Sequence, residues 1–225
     1  MRGDAKSVMR PPHRPLVPTT VAKSVRLPKH RLSSRLGKVL AAVDVIHSPK
    51  NLKAIPVLMD GRVLGGLFVV HADTGPYEIY LDPDGHHPEL SLLHEVGHYL
   101  EWQSIPKDQH GMRDFSTDGL FTLWLQTILE TPTIQRLLVL LEQQQEGTQA
   151  FQDIAYLLRL NELWTRAYSQ YVARKANLSV VFQQMAAENK VVTGNIRYGP
   201  YWGWEEFASV QDVIDAMFDE LGWSK

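Results

Sequence analysis

Hydrophobic and polar positions divide the chain into three stretches. Up to residue 31 no apolar period is visible, and Pro11, Pro12, Pro15, Pro18 and Pro28 interrupt the segment. A stretch with so little apolar surface cannot offset its ordering entropy, so residues 1–31 read as a disordered tail. Leu36, Val39, Leu40, Val43 and Ile46 then recur at helical spacing, starting from a cap at Ser33 or Ser34 and ending at Ser48-Pro49. Three strand-like runs follow. Ile55 to Met59 and Val63 to His71 are joined by Asp60-Gly61, a hairpin signal. The third run, Tyr77 to Leu81, alternates Tyr77, Ile79 and Leu81 with Glu78 and Tyr80. From Pro88 the pattern is helical, with helices predicted at 89–103, 118–130, 133–146, 151–159, 161–176, 179–188 and 209–221. Thr131-Pro132, Gly147, Asn177 and the Gly194–Gly203 loop punctuate them. The expectation is an α+β domain over residues 32–225, with a small, mostly antiparallel sheet and a helical C-terminal part.

Composition narrows the chemistry. The 225 residues include no cysteine, which excludes disulfides, thiolate metal sites and a cysteine nucleophile. Any metal must be held by His, Asp or Glu. No apolar run approaches a membrane span, and no apolar core follows the first basic residues as a secretory signal would require. A cytoplasmic location is the expectation.

The net charge of −2 conceals a split. Residues 1–38 hold ten basic side chains against Asp4 alone, so the remainder of the chain is strongly acidic. The tail could meet an acidic partner. No aromatic residue is interleaved with its basic ones, which argues against nucleic acid.

One segment carries chemistry: Leu92-Leu93-His94-Glu95-Val96-Gly97-His98-Tyr99-Leu100. On a helix the two histidines of His-Glu-x-x-His lie one turn apart on one face, where both imidazoles can reach one ion. Glu95 would project toward the open coordination position and could take a proton from water there. Leu90, Leu93, Gly97 and Leu100 form the opposite, buried stripe. Gly97 costs helix stability and is best tolerated where another backbone passes close by. Glu101 falls near the histidine face but too far along the axis to join both histidines at one ion, so it is read as supporting them or facing solvent.

A third protein ligand is needed. Glu162, which opens the helix after Leu160-Asn161, is the best candidate, with Asp118 and His110 as rivals. Chains that take a third histidine further along the motif need glycine at position 101 and histidine at position 104; Glu101 and Ser104 stand there instead.

This arrangement resembles the gluzincin-type zinc metallopeptidases. It resembles still more closely the zincin-like domains of phage head-morphogenesis and related polyvalent or toxin-associated proteins. The likeness rests on Leu93 through Glu101, on Asn161-Glu162-Leu163 through Tyr171, and on Trp202 through Phe207 with the helix that ends Leu221-Gly222-Trp223. It implies a zincin fold, zinc held by His94, His98 and Glu162, Glu95 as general base, and a peptide or protein substrate cut internally. It also implies that the strand before the motif helix, Tyr77 to Leu81 with Tyr80, is an edge that pairs with an extended substrate.

The chain departs from the pattern at Arg166, where many gluzincins place an aspartate that accepts a hydrogen bond from a zinc-bound histidine. Arg166 could instead orient Glu162 or bind a substrate carbonyl or carboxylate. Tyr198 and Tyr201, in a glycine-rich loop, are candidate oxyanion donors, whereas Tyr168 and Tyr171 are expected to pack in the core. The alternative is a zincin-fold binding or structural module with little turnover, docked through its basic tail.

Overall fold

The structure is a computed structural model that describes residues 20–49, 52–70, 78–104, 119–190, 192–193, 196–197 and 199–225. The first elements are α1 (Val21–Ser24), β1 (Val25–Arg26) and α2 (Ser33–Ile46). The strands β2 (Ile55–Met59), β3 (Gly66–Val69) and β4 (Glu78–Leu81) follow. Then come α3 (Pro88–Ser104), α4 (Gly119–Leu129), α5 (Pro132–Glu142), α6 (Gln149–Leu157), α7 (Leu160–Lys175) and α8 (Ser179–Glu188). A short pair, β5 (Val192–Thr193) and β6 (Ile196–Arg197), precedes α9 (Ala208–Glu220). The class is α+β.

The sheet corrects the expectation of a mostly antiparallel arrangement. Its order is β1-β2-β4-β3, and it is mixed. β2 runs parallel to β1 and to β4, and only β3 is antiparallel to its neighbour. The predicted β2–β3 hairpin does not form. Asp60-Gly61 does turn the chain, with the Asp60 carboxylate accepting from the Arg62 N–H at 3.0 Å, but the turn carries the chain over β4. Burial explains the order. Ile55 and Val57 of β2, and Ile79 and Leu81 of β4, are buried, and the register sets Val57 beside Ile79. No position of β3 is fully buried, so it takes the edge. Tyr77–Leu81 was expected at that edge; its β4 portion is internal instead.

The boundary of the tail also moves. Residues 1–19 lie outside the described residues, but residues 20–31, expected in the tail, are ordered. Thr20 caps α1, and the Val21 N–H donates to Asp44 at 2.7 Å. Val21 and Val25 are buried, and Val25 pairs with Ile55 in the sheet. Val21, Ser24 and Val25 share an inner face while Ala22, Lys23 and Arg26 stay exposed.

Two helices organise the core. α7 is buried from Glu162 through Ala173, so its polar side chains need internal partners. Gln170 supplies one set, donating to the Trp202 carbonyl at 2.9 Å and accepting from the Trp202 N–H at 3.1 Å. α3 packs against α7 with Gly97 at the contact. A methyl group there would sit 3.1 Å from Thr165 Cα and 3.2 Å from its Cβ. The close passage expected from Gly97 is therefore with α7, and the Trp164 indole fixes it by donating to the Gly97 carbonyl at 3.2 Å.

Candidate metal centre

The α3–α7 contact builds the site. His94 and His98, one turn apart on α3, turn their Nε2 atoms toward the first turn of α7. Glu162 meets them with both oxygens: Oε2 lies 3.1 Å from His94 Nε2, and Oε1 lies 3.4 Å from His98 Nε2. One ligand atom from each residue falls within 4.8 Å of the others, and these three residues form a group that could hold a metal ion. Gly97 makes this possible by letting α7 approach closely enough for a short Glu side chain to span the gap. The rivals His110 and Asp118 lie outside the described residues.

The surroundings hold the ligands in place. The Asn161 amide donates to Glu162 Oε1 at 3.1 Å, and Thr165 Oγ1 lies 3.2 Å from His94 Nε2. Glu101 is buried, and its Oε2 faces His98 Nδ1 at 3.7 Å. A carboxylate behind a ligating imidazole fixes its tautomer and raises its basicity. Glu101 stands in that position for His98 alone, and Arg166, with no acceptor, can take it for neither histidine.

Electrostatics follow from this packing. Burial is the largest influence on His98 and opposes its charged form, but the bonds to Glu101 and Glu162 outweigh it and raise its pKa to about 9. Burial likewise opposes ionisation of Glu162, yet its two histidine partners hold the carboxyl well below the usual range. The carboxylates around the imidazoles, Glu95, Glu101 and Glu162, are all buried. A divalent cation would offset their charge, displacing the proton of His98 as it bound.

Glu95 lies beside this group. Burial raises its pKa, and the neighbouring His94 and His98 pull in the opposite direction. The carboxylate packs against Gly66 at the start of β3, and the Phe68 N–H donates to it. Two cavities of about 230 and 340 Å³ flank it. They share Gly66, Glu95, Tyr156 and Glu162 and so adjoin at the candidate metal centre, and Leu67 and Phe68 of the edge strand line the second. Together they fall in the range of roughly 300–1,000 Å³ usual for ligand sites.

Arg166 is buried and lines the first cavity, on the His94 side. Its Nε donates to the Glu162 carbonyl at 3.2 Å, and its terminal nitrogens donate to the Pro200 and Leu157 carbonyls. Burial lowers its pKa to about 10, which leaves it charged at neutral pH. It therefore ties the start of α7 to the loops on either side of that cavity. Tyr201 is buried in the same cavity, its backbone N–H donating to Asn189 at 2.9 Å.

Tyr80 is not brought to the site; its hydroxyl donates to Glu78 at 2.6 Å, and it lines neither cavity. Tyr198 lies outside the described residues. Tyr168 and Tyr171 are core groups as expected, bonded to His47 and Asp215.

Tyr156, at the end of α6, lines both cavities with its hydroxyl beside the Glu162 carboxylate. The sequence reading passed over it. No sequence period marks it, because its place depends on the Leu158-Arg159 turn between α6 and α7.

No protein-family model, curated protein or solved structure matches the chain. Its functional reading rests on this geometry.

Proposed function

We propose that this protein is a zinc-dependent peptidase of the zincin type. The observation that carries the reading is the convergence of Glu162 on both histidine Nε2 atoms, with Glu95 beside them in an open cleft. Ligands bound at about 2.0–2.1 Å along tetrahedral axes stand roughly 3.3 Å apart. One atom from each of His94, His98 and Glu162 lies within 4.8 Å of the others, close enough for a modest closure to reach that spacing, and two imidazoles with one carboxylate are a donor set of catalytic rather than structural zinc. When bound, the ion supplies Lewis acidity that polarises a carbonyl and acidifies water.

The chain's own residues supply the rest. Glu95, in a buried setting that favours proton uptake, accepts a proton from water and passes it to the leaving amine. The Tyr156 hydroxyl, which lies in both cavities beside Glu162, is our candidate donor to charge developing on the substrate oxygen. β3, as the edge strand beside the cleft, offers backbone groups to an extended peptide.

Elemental analysis of the purified protein tests the reading. Wild type should hold one zinc ion per chain, and His94→Ala should lose it. Glu95→Gln should keep zinc while peptide hydrolysis falls by about 10²–10⁴-fold. Wild type without stoichiometric zinc, or an active Glu95→Gln, overturns it. Arg166 in place of an aspartate favours a second reading, a zincin-fold module that holds metal without turnover. Zinc-loaded wild type that cleaves nothing in a broad peptide library would select it.

A further inference from the structure

We propose that Gly66 is a positioning residue for Glu95, and that the edge strand sets where the general base stands. The inference rests on the reading of Glu95 as that base. Two adjacent glycines, Gly65 and Gly66, lead into β3 for different reasons. Gly65 has φ +80°, a left-handed conformation that favours glycine. Gly66 has no such backbone demand, since Gly65, Gly147 and Gly222 are the positive-φ glycines among the described residues. What Gly66 meets is Glu95. A Cβ at position 66 would lie 2.7 Å from Glu95 Oε1, 2.8 Å from Cγ and 3.1 Å from Cδ.

These distances decide the consequence. Oε1 alone could swing aside, because a carboxylate end is mobile. Cγ cannot move without a change of rotamer along the whole side chain. The space that adjoins Glu95 is that of the two cavities it lines, so a displaced side chain swings away from the strand and into them. A methyl at position 66 therefore drives the carboxylate out of its place between the cleft and His94. The missing side chain lets the strand seat Glu95 directly on its backbone, where the Phe68 N–H, two residues on, also holds it. A displacement of about 1 Å at a reacting group can cost roughly 10²-fold in rate.

The test compares Gly66→Ala with Gly61→Ala, in the connection before the same strand, where an added Cβ meets nothing within 4 Å. Gly66→Ala should keep one zinc ion per chain and an unchanged KM, with kcat reduced roughly 10²-fold. Gly61→Ala should behave as wild type. Removing the base tests the cause. Glu95→Ala removes the Cγ and carboxylate that the methyl would strike, and with them the activity, so the pair of substitutions is read by stability.

Thermal unfolding gives a readout independent of activity. Gly66→Ala should lower the midpoint in the wild-type background and leave it nearly unchanged in a Glu95→Ala background. If Gly66→Ala unfolds the protein and the double variant does not, the contact is still established. If both unfold, or if Gly66→Ala has wild-type kcat, the inference is overturned. An active Glu95→Gln would sink the reading of Glu95 itself; an inactive Glu95→Gln beside a fully active Gly66→Ala sinks the inference about Gly66 alone.

Discussion

A single imidazole far from the cleft sets one pH dependence of the molecule. His47 ends α2 inside the core, with Nε2 2.9 Å from the Tyr168 hydroxyl and its ring against Phe218 and Trp223. Burial, helped by Lys225, lowers its pKa from 6.5 to about 3. Above pH 6.5 the ring is neutral whether the chain is folded or not, and contributes no pH dependence. Between pH 6.5 and about 3 the unfolded chain takes a proton that the folded chain refuses. Stability from this group is therefore complete above pH 6.5 and lost as pH falls, by up to roughly 4 kcal/mol. Denaturant titrations from pH 7 to pH 3 should show that slope for wild type and a shallower one for His47→Gln. Single residues were also where the sequence spoke most clearly about the centre. His94, Glu95 and His98 follow from spacing on one helix, and Glu162 from a carboxylate opening another. Glu101 was harder, because its distance from His94 says nothing of its nearness to His98, one turn away. Tyr156 was not legible, since its place depends on a turn between two helices rather than on a period within one.

Between elements, the contact of α3 with α7 is the one that brings the candidate metal ligands together. Gly97→Ala should gain about 1 kcal/mol of helix propensity. Against this, its methyl would press on Thr165 Cα, Cβ and Cγ2 at 3.1–3.2 Å, and overpacking of that kind costs about 1–3 kcal/mol. The expected result is a net loss of stability by chemical denaturation and weaker zinc retention in a chelator competition, because α7 carries Glu162. A variant as stable and as tight as wild type would contradict this view of the contact. Helix positions were legible to within a few residues, since each helix shows an apolar face of its own. Strand partners were not. Asp60-Gly61 announces that the chain reverses, but the partner of β2 is decided by burial, and β4, with Ile79 and Leu81 inside, outcompetes β3. The first ordered turn was missed for a related reason: Val21 and Val25 are too few to form a period, and only the tertiary core shows that they are inside.

At the scale of the whole molecule, the described residues form a mixed sheet and a helical layer, with the two adjoining cavities beside the edge strand. Among them no helix is long and apolar enough to cross a membrane. The two halves of the candidate metal centre come from distant parts of the chain: His94 and Thr165, which touch across it, are 71 positions apart in sequence. That separation has a kinetic meaning. Closing so long a loop costs entropy that local helix contacts do not repay, so docking of α7 on α3 belongs late in folding. An ion that needs both helices then binds only after the rate-limiting barrier has been crossed. Saturating zinc should leave the refolding rate almost unchanged and slow unfolding by the full measure of its binding energy. Stopped-flow measurements with and without zinc would show one arm of the denaturant plot moving and the other standing still, so the metal would act as a latch on the finished structure rather than a template for making it.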